Sequence, residues 1–317
     1  MTIVLMTGIQ SALNPAGVQA EKIARLWDLF FWVSAVVYVL VMIFLLAALL
    51  RRRPEIVPNA TSPRVRAAVS IATGLTVLTL FALLTASIFT GRSLSDVPER
   101  AIQIGVTGKQ WWWHIEYDDT DKSKRITTAN EITIPVGMPV TVHLQTSDVI
   151  HSFWVPNLHG KRDLIPGRRL TWTFSADRPG VYRGQCAEFC GYQHAKMALW
   201  INALPAAEYA SWLEASRKSS KIPSTPEERK GQEVFMSSPC PLCHTIGGTE
   251  AAGKTGPDLT HFASRRSIGA ASVPNRREFL AHWIVDAQHF KPGSLMPSMT
   301  LEPGQLEPLV VYLESLR

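Results

Sequence analysis

The sequence predicts three units in series: a membrane-spanning helix hairpin, an antiparallel β-sandwich or Greek-key barrel, and a small all-α domain. Three observations predict them. Two long runs near the N-terminus carry no charge, a middle stretch alternates apolar and polar residues with period two, and the last third pairs a capped helix with a Cys-x-x-Cys-His motif. A chain of 317 residues is long for one domain. With 46% apolar and 18% charged residues it is oily for a soluble protein and too polar for a bundle of membrane helices.

The hairpin comes first. Leu29 to Leu50 runs 22 residues without a charge, and Ala67 to Thr90 runs 24. A bilayer core about 30 Å thick needs roughly 20 helical residues, so each run is long enough to span it. Between them RRRPEIVPNATSPRVR holds five Arg and one Glu. The positive-inside rule places that loop in the cytoplasm and everything after residue 91 on the periplasmic or extracellular side. The hairpin is assigned to 27–90. Residues 1–26 are an N-terminal arm or the remnant of a leader, since 1–20 are mildly apolar and lack a basic start.

Residues 91–215 form the β unit. Ile102, Ile104 and Val106 alternate with polar residues, as do Trp111, Trp113, Ile115 and Tyr117, and in part Val140, Val142 and Leu144. Residues 216–226 are polar, basic and contain Pro, which reads as a linker. The third unit, 227–317, opens on a helix with Thr225 as N-cap, Pro226 at its first position and Glu227 and Glu228 in its first turn. It closes on the helical run LEPLVVYLESL.

Charge excludes one class of partner. Residues 1–90 hold 7 Lys and Arg against 3 acidic residues, while 222–317 hold 9 against 10. The excess beside the apolar runs sets topology, and no basic stripe remains for nucleic acid.

Four cysteines form two close pairs flanked by His, a pattern for holding a cofactor rather than for a disulfide framework. Cys240-Pro-Leu-Cys243-His244 is the attachment signature of a c-type haem. Two thiols at this spacing add to the two vinyl groups, and the adjacent His binds the iron. The second axial ligand is a downstream thioether. Met296 and Met299 are the candidates, and resemblance to the cytochrome c family, in which the ligand commonly precedes a Pro, favours Met296.

The other pair lies in a run where Cys186, Cys190, His194 and Met197 recur at offsets 0, 4, 8 and 11, with His151 upstream. Thiolate, thioether and imidazole together are a copper ligand set, and a second thiolate lets two copper ions be bridged. A tetrahedral zinc site on the same two Cys and two His is the rival, in which Met197 has no role.

Residues 91–215 closely resemble the dinuclear copper (CuA) domain of subunit II of cytochrome c oxidases. The stretches that carry the resemblance are GKQWWWHIEY, DVIHSFWVPNLHGKRDLIPGRR and RPGVYRGQCAEFCGYQHAKM. Residues 227–317 resemble a class I cytochrome c, and together they place the chain with those oxidases whose subunit II carries its own haem. The resemblance implies a cupredoxin-like Greek-key barrel. It implies that Cys186 and Cys190 bridge two coppers, that His151 and His194 bind one each, that Met197 is a weak ligand, and that Glu188 offers its backbone carbonyl. The Glu188 carboxylate is expected at a magnesium site shared with subunit I, near Asp163. Trp111 matches the aromatic residue through which electrons enter from cytochrome c.

The implied partners are subunits I and III, cytochrome c or another periplasmic donor, and membrane lipid. The implied location is the bacterial inner membrane, and dioxygen is reduced in subunit I. Electron delivery to a copper-containing nitric oxide reductase and a free-standing membrane electron carrier are the competing functions.

Overall fold

The computed structural model describes residues 8–51, 62–94, 100–119, 121 and 124–317. The chain divides into two compact units, Glu21–Asp96 on one side and Met1–Ala20 with Val97–Arg317 on the other.

The hairpin unit consists of α1 (Val18–Leu50) and α2 (Pro63–Ser93). At 1.5 Å per residue their 33 and 31 residues make rods of about 50 and 46 Å, longer than the bilayer core. Their apolar windows bury nothing within the unit, as lipid-facing surface should. The hydroxyls of Thr76 and Thr85 donate back to Ala72 O and Phe81 O, which satisfies those two donors within their own helix. The N-cap Ser62 accepts from Val65 N, and Pro63 opens the helix. α1 begins nine residues before the boundary read from the sequence. Glu21, Lys22 and Arg25 interrupt the apolar run but are good helix formers. Residues 52–61, the core of the loop assigned to the cytoplasm, lie outside the described residues.

The β unit is a two-sheet sandwich. One sheet holds β1 (Ile102–Lys109), β2 (Trp112–Tyr117), β3 (Ile126–Ala129), β5 (Val140–Thr146) and β8 (Leu170–Phe174), in the order β3-β2-β1-β5-β8. The other holds β4 (Glu131–Pro135), β6 (His151–Trp154), β7 (Arg162–Leu164), β9 (Gly180–Cys186) and β10 (Ala198–Leu204), in the order β4-β10-β9-β6-β7. The period-two residues do point inward: Ile104, Val106, Trp113, Ile115, Val140, Val142 and Leu144 are all fully buried. Two of the pairings are parallel, β1 with β5 and β4 with β10. The chain changes sheets at Asn130. Its left-handed φ of 62° lets its side chain accept from Trp113 N at 2.8 Å while its carbonyl accepts from Trp200 N at 2.9 Å. Tyr117 ties the sheets together, its hydroxyl donating to Thr133 O and accepting from Thr133 N.

Residues 8–17 form an ordered arm on the sandwich. Ser11 N donates to Asn157 Oδ1, Ala16 N to Asn157 O, and Arg183 N to Ile9 O. Helix α3 (Ala206–Ser216) follows β10.

The C-terminal domain is built on α4 (Pro226–Ser237), α5 (Cys240–Cys243), α6 (Arg277–Val285), α7 (Ala287–Phe290) and α8 (Leu306–Ser315), with a short ribbon of β11 (Ser267–Ile268) and β12 (Val273–Pro274). The end of the polar segment is not loose: Ser220 N and Oγ both donate to Gly247 O. α4 and α8 cross closely at Gly231, where a Cβ would fall 2.0 Å from Pro308 O. Phe235 and Tyr312 meet edge-on at 6.1 Å in that crossing.

Sandwich and C-terminal domain lie in one unit and share a bonded interface. Ala198 N donates to Ala270 O at 3.1 Å, Trp200 Nε1 to Ser267 Oγ at 2.9 Å, and Arg266 N to the Glu131 carboxylate at 2.7 Å.

Candidate functional site

Strand pairing builds the first site. β6 lies beside β9, with Phe153 opposite Cys186, so His151 at the start of β6 comes next to the end of β9. The loop from Cys186 to β10 then folds Cys190, His194 and Met197 back over the same point. Sγ of Cys186 lies 3.7 Å from Sγ of Cys190, 3.9 Å from Nδ1 of His151 and 3.2 Å from Glu188 O. Sγ of Cys190 lies 3.6 Å from Nδ1 of His194 and 3.8 Å from Sδ of Met197. His151, both cysteines and Met197 are at most 2% exposed.

Electrostatics prepare this cluster for a cation. The two sulfurs share one hydrogen bond at 3.7 Å, which pulls Cys186 down and pushes Cys190 up, so one proton serves both. A bound cation takes the place of that proton. Burial works against a charged His151 ring, yet hydrogen bonds with Cys186 and Asp148 outweigh it and hold its pKa above the usual value. His151 Nε2 donates to Asp148 Oδ1 at 2.8 Å, which turns the Nδ1 lone pair toward the sulfurs. Two thiolates, two imidazoles, a thioether and a carbonyl are six donors. That exceeds the four of a tetrahedral zinc site and suits two soft ions sharing the sulfurs.

The second site is an apolar cavity in the C-terminal domain. Cys240, Cys243 and His244 line it together with Met296 and Met299, and Phe235, Leu280 and Trp283 supply apolar wall. His244 Nδ1 donates to Pro257 O at 2.7 Å, leaving Nε2 as the ligand atom. Burial holds its pKa below the usual value, in the neutral form an iron ligand needs. Gly256 gives the ring its room, since a Cβ there would lie 2.6 Å from His244 Cε1. Half-buried Arg265 also lines the cavity, and its Nε has no partner among the described residues. A flat apolar macrocycle with carboxylate arms fits this lining.

Trp111 belongs to both sites. Its Nε1 donates to Cys190 O at 2.9 Å, and the residue also lines the cavity. Gln110, not singled out in the sequence, does the same through Nε2 at 2.8 Å. Asp148 was missed too, although it lies three residues before His151 and so carried a local signal. The Glu188 carboxylate points away from the sulfurs and pairs with Lys161 at 3.1 Å, and Lys161 also reaches Asp163 at 3.4 Å. Among the histidines left unassigned, His143 bonds Gln103 at 2.8 Å and His159 stacks on Trp172 at 3.8 Å.

The chain is similar in sequence to proteins already described. The family model for the periplasmic domain of cytochrome c oxidase subunit II matches residues 119–204, and that for cytochrome c matches 228–317. Cytochrome c oxidase subunit 2 of Alkalihalophilus pseudofirmus is 34% identical, over 97% of this chain and 91% of its own length. The same subunit of a Bacillus species is 29% identical over 76% of this chain and 72% of its own. The periplasmic domain of subunit II of cytochrome oxidase from Bradyrhizobium japonicum, a crystal structure, is 33% identical, with a TM-score of 0.36 over 38% of this chain and 97% of that one. Two apolar helices precede a domain of periplasmic type, which makes this a membrane protein. From the order of its domains and a likeness that runs nearly end to end, the chain belongs to the cytochrome c oxidase subunit II family, in the form that carries its own C-terminal cytochrome c domain.

Proposed function

We propose that the chain admits electrons from a periplasmic donor, cytochrome c or another, and passes them to subunit I, where dioxygen is reduced to water with proton pumping. Subunit III and the lipid of the bacterial inner membrane complete its surroundings. The observation that supports this most is the placement of Trp111, bonded to the Cys190 carbonyl and lining the cavity of His244 at once. When bound, the haem and the dinuclear copper supply one-electron exchange with little rearrangement.

The residues have separate tasks in this reading. Cys240 and Cys243 would anchor the haem, and His244 and Met296 would bind its iron. Cys186, Cys190, His151 and His194 would hold the dinuclear copper, with Met197 as a weak ligand and the Glu188 carbonyl as an oxygen donor. His151, Cys186, Cys190 and Met197 are buried and His194 is half-buried, which limits water and fixes most of the donors before the metal arrives. Asp148 orients His151 and also accepts from Gln110 N at 2.8 Å, so one carboxylate steadies a copper ligand and the turn that carries Trp111. The Glu188 carboxylate, with Asp163 close by, serves a magnesium shared with subunit I. In this chain Lys161 holds the two carboxylates together, and magnesium there replaces that ammonium.

Metal analysis and EPR of the purified complex test the proposal. The expected result is two coppers in this chain for each c-type haem, with a mixed-valent spectrum lost in Cys190→Ser. One zinc per chain and no such spectrum refutes it.

A further inference from the structure

Lys291 leaves the loop that carries Met296 and Met299 and crosses into the sandwich. It is 3% exposed. Its ammonium donates to three backbone carbonyls: Trp111 at 2.6 Å, Lys196 at 2.7 Å and Gly269 at 2.8 Å. These belong to three different segments. Trp111 lies in the turn between β1 and β2. Lys196 ends the short 3-10 helix His194–Lys196, between the proposed copper ligands His194 and Met197. Gly269 belongs to the C-terminal domain and lines the same cavity as Lys291.

An ammonium has three N–H donors, and here each has one carbonyl. Among the described residues no carboxylate lies within ion-pair distance of it. Burial pulls its pKa down to about 7, and donation to the three carbonyls is the contact that favours its charged form. The contact is also reciprocal, because Lys196 Nζ donates back to Phe290 O at 2.5 Å. Any apolar residue at 291 removes the donor from the Trp111 and Lys196 carbonyls, both in the sandwich, while Gly269 O keeps the Ser272 hydroxyl at 2.6 Å.

We infer that Lys291 is a positioning residue for electron transfer within the chain: its ammonium fixes the haem loop, the Trp111 turn and the copper-ligand loop in one register. The inference rests on the electron-admitting role proposed above. It goes beyond that role in assigning the coupling of the two sites to a residue that is not proposed to bind either cofactor. The backbone of Trp111 is held by Lys291 and its indole by Cys190 O, so the ring is fixed at both ends.

The test uses the purified complex with both cofactors bound. The haem is reduced in a flash, and copper reduction is followed optically in wild type, Lys291→Met and Lys291→Gln. Lys291→Met keeps the length of the stem and removes every donor. Its internal rate should fall by about tenfold or more, as an ångström-scale loss of positioning does. The optical spectra of both centres and the gap between their midpoint potentials should stay as in wild type. Lys291→Gln keeps two N–H donors and should fall between the two.

Trp200→Phe removes a different bond between the domains and should leave the rate unchanged. A wild-type rate in Lys291→Met, or an equal loss in Trp200→Phe, overturns the inference. If Lys291→Met does not assemble, a wild-type rate in Lys291→Gln overturns it. Absence of haem-to-copper transfer in wild type refutes the underlying role instead.

Discussion

Met296 and Met299 both line the cavity that holds His244, and their backbones are held differently. Gln288 Nε2 donates to Met296 O at 2.6 Å, and the Met296 side chain packs on the buried helical core. Met299 is tied to α6 through its N–H and Val285 O at 2.9 Å. Met296→Leu removes a thioether while roughly keeping volume. It should lower the haem potential and erase the weak sulfur-to-iron band at the red end of the oxidised spectrum, with Met299→Leu leaving both in place. A potentiometric titration with spectra of the two variants decides, and the reverse pattern assigns the ligand to Met299. The candidate ligand residues stood out in the sequence because each sits in a short run with its own spacing. Lys291 was not readable. Its three acceptors include Trp111 and Lys196, 180 and 95 positions away, and backbone carbonyls leave no mark in a sequence.

The start of α4 shows how far local sequence can reach. Thr225 and Pro226 marked the helix start in the sequence, and the folded chain adds a full capping box, with Thr225 Oγ1 accepting from Glu228 N and the Glu228 carboxylate accepting from Thr225 N. Ser224 N–H and Thr225 N–H hold Glu228 down to about 2. Its folded pKa is depressed, so its contribution is complete above the ordinary carboxylate value and is lost as pH falls toward the folded one. Glu228→Ala should cost about 0.5–2 kcal/mol at neutral pH. The deficit should shrink steadily below about pH 4.3. Thermal melts followed at the haem, for wild type and variant across that range, measure it, and a deficit independent of pH contradicts the assignment. Elements whose signal is periodic were legible in the same way. The parallel pairing of β1 with β5 was not, because strand direction depends on which distant strand arrives alongside.

For the whole molecule, three units in series were legible from two charge-free runs, one alternating stretch and one Cys-x-x-Cys-His motif. What could not be read was that the last two units form a single body. The interface is made of scattered contacts such as Ala198 with Ala270 and Arg266 with Glu131, residues with no pattern in common. The segment before α4 looked like a free linker because it is polar. Its bonds run instead to backbone groups of the C-terminal domain, at Gly247 from Ser220 and from His261 to Lys218 O.

That bonded interface changes what kind of kinetics the molecule has. A dissociable donor reaches its acceptor at a rate set by its concentration. A domain held in place presents a fixed effective molarity, independent of how much protein is present. On the proposed role, transfer inside the chain would be first order, and only the outer step from a periplasmic donor would obey mass action. Ionic strength separates the two. Going from about 0.01 M to about 1 M salt shortens the Debye length from roughly 30 Å to 3 Å. The rate at which a charged donor reduces the haem should shift strongly over that range, as steered encounters do. The internal rate should stay flat, and flash-reduction traces at each salt concentration measure both. If the internal rate also moves with salt, the two domains part and rejoin during turnover. If it does not, the chain has turned an encounter between two proteins into a property of one.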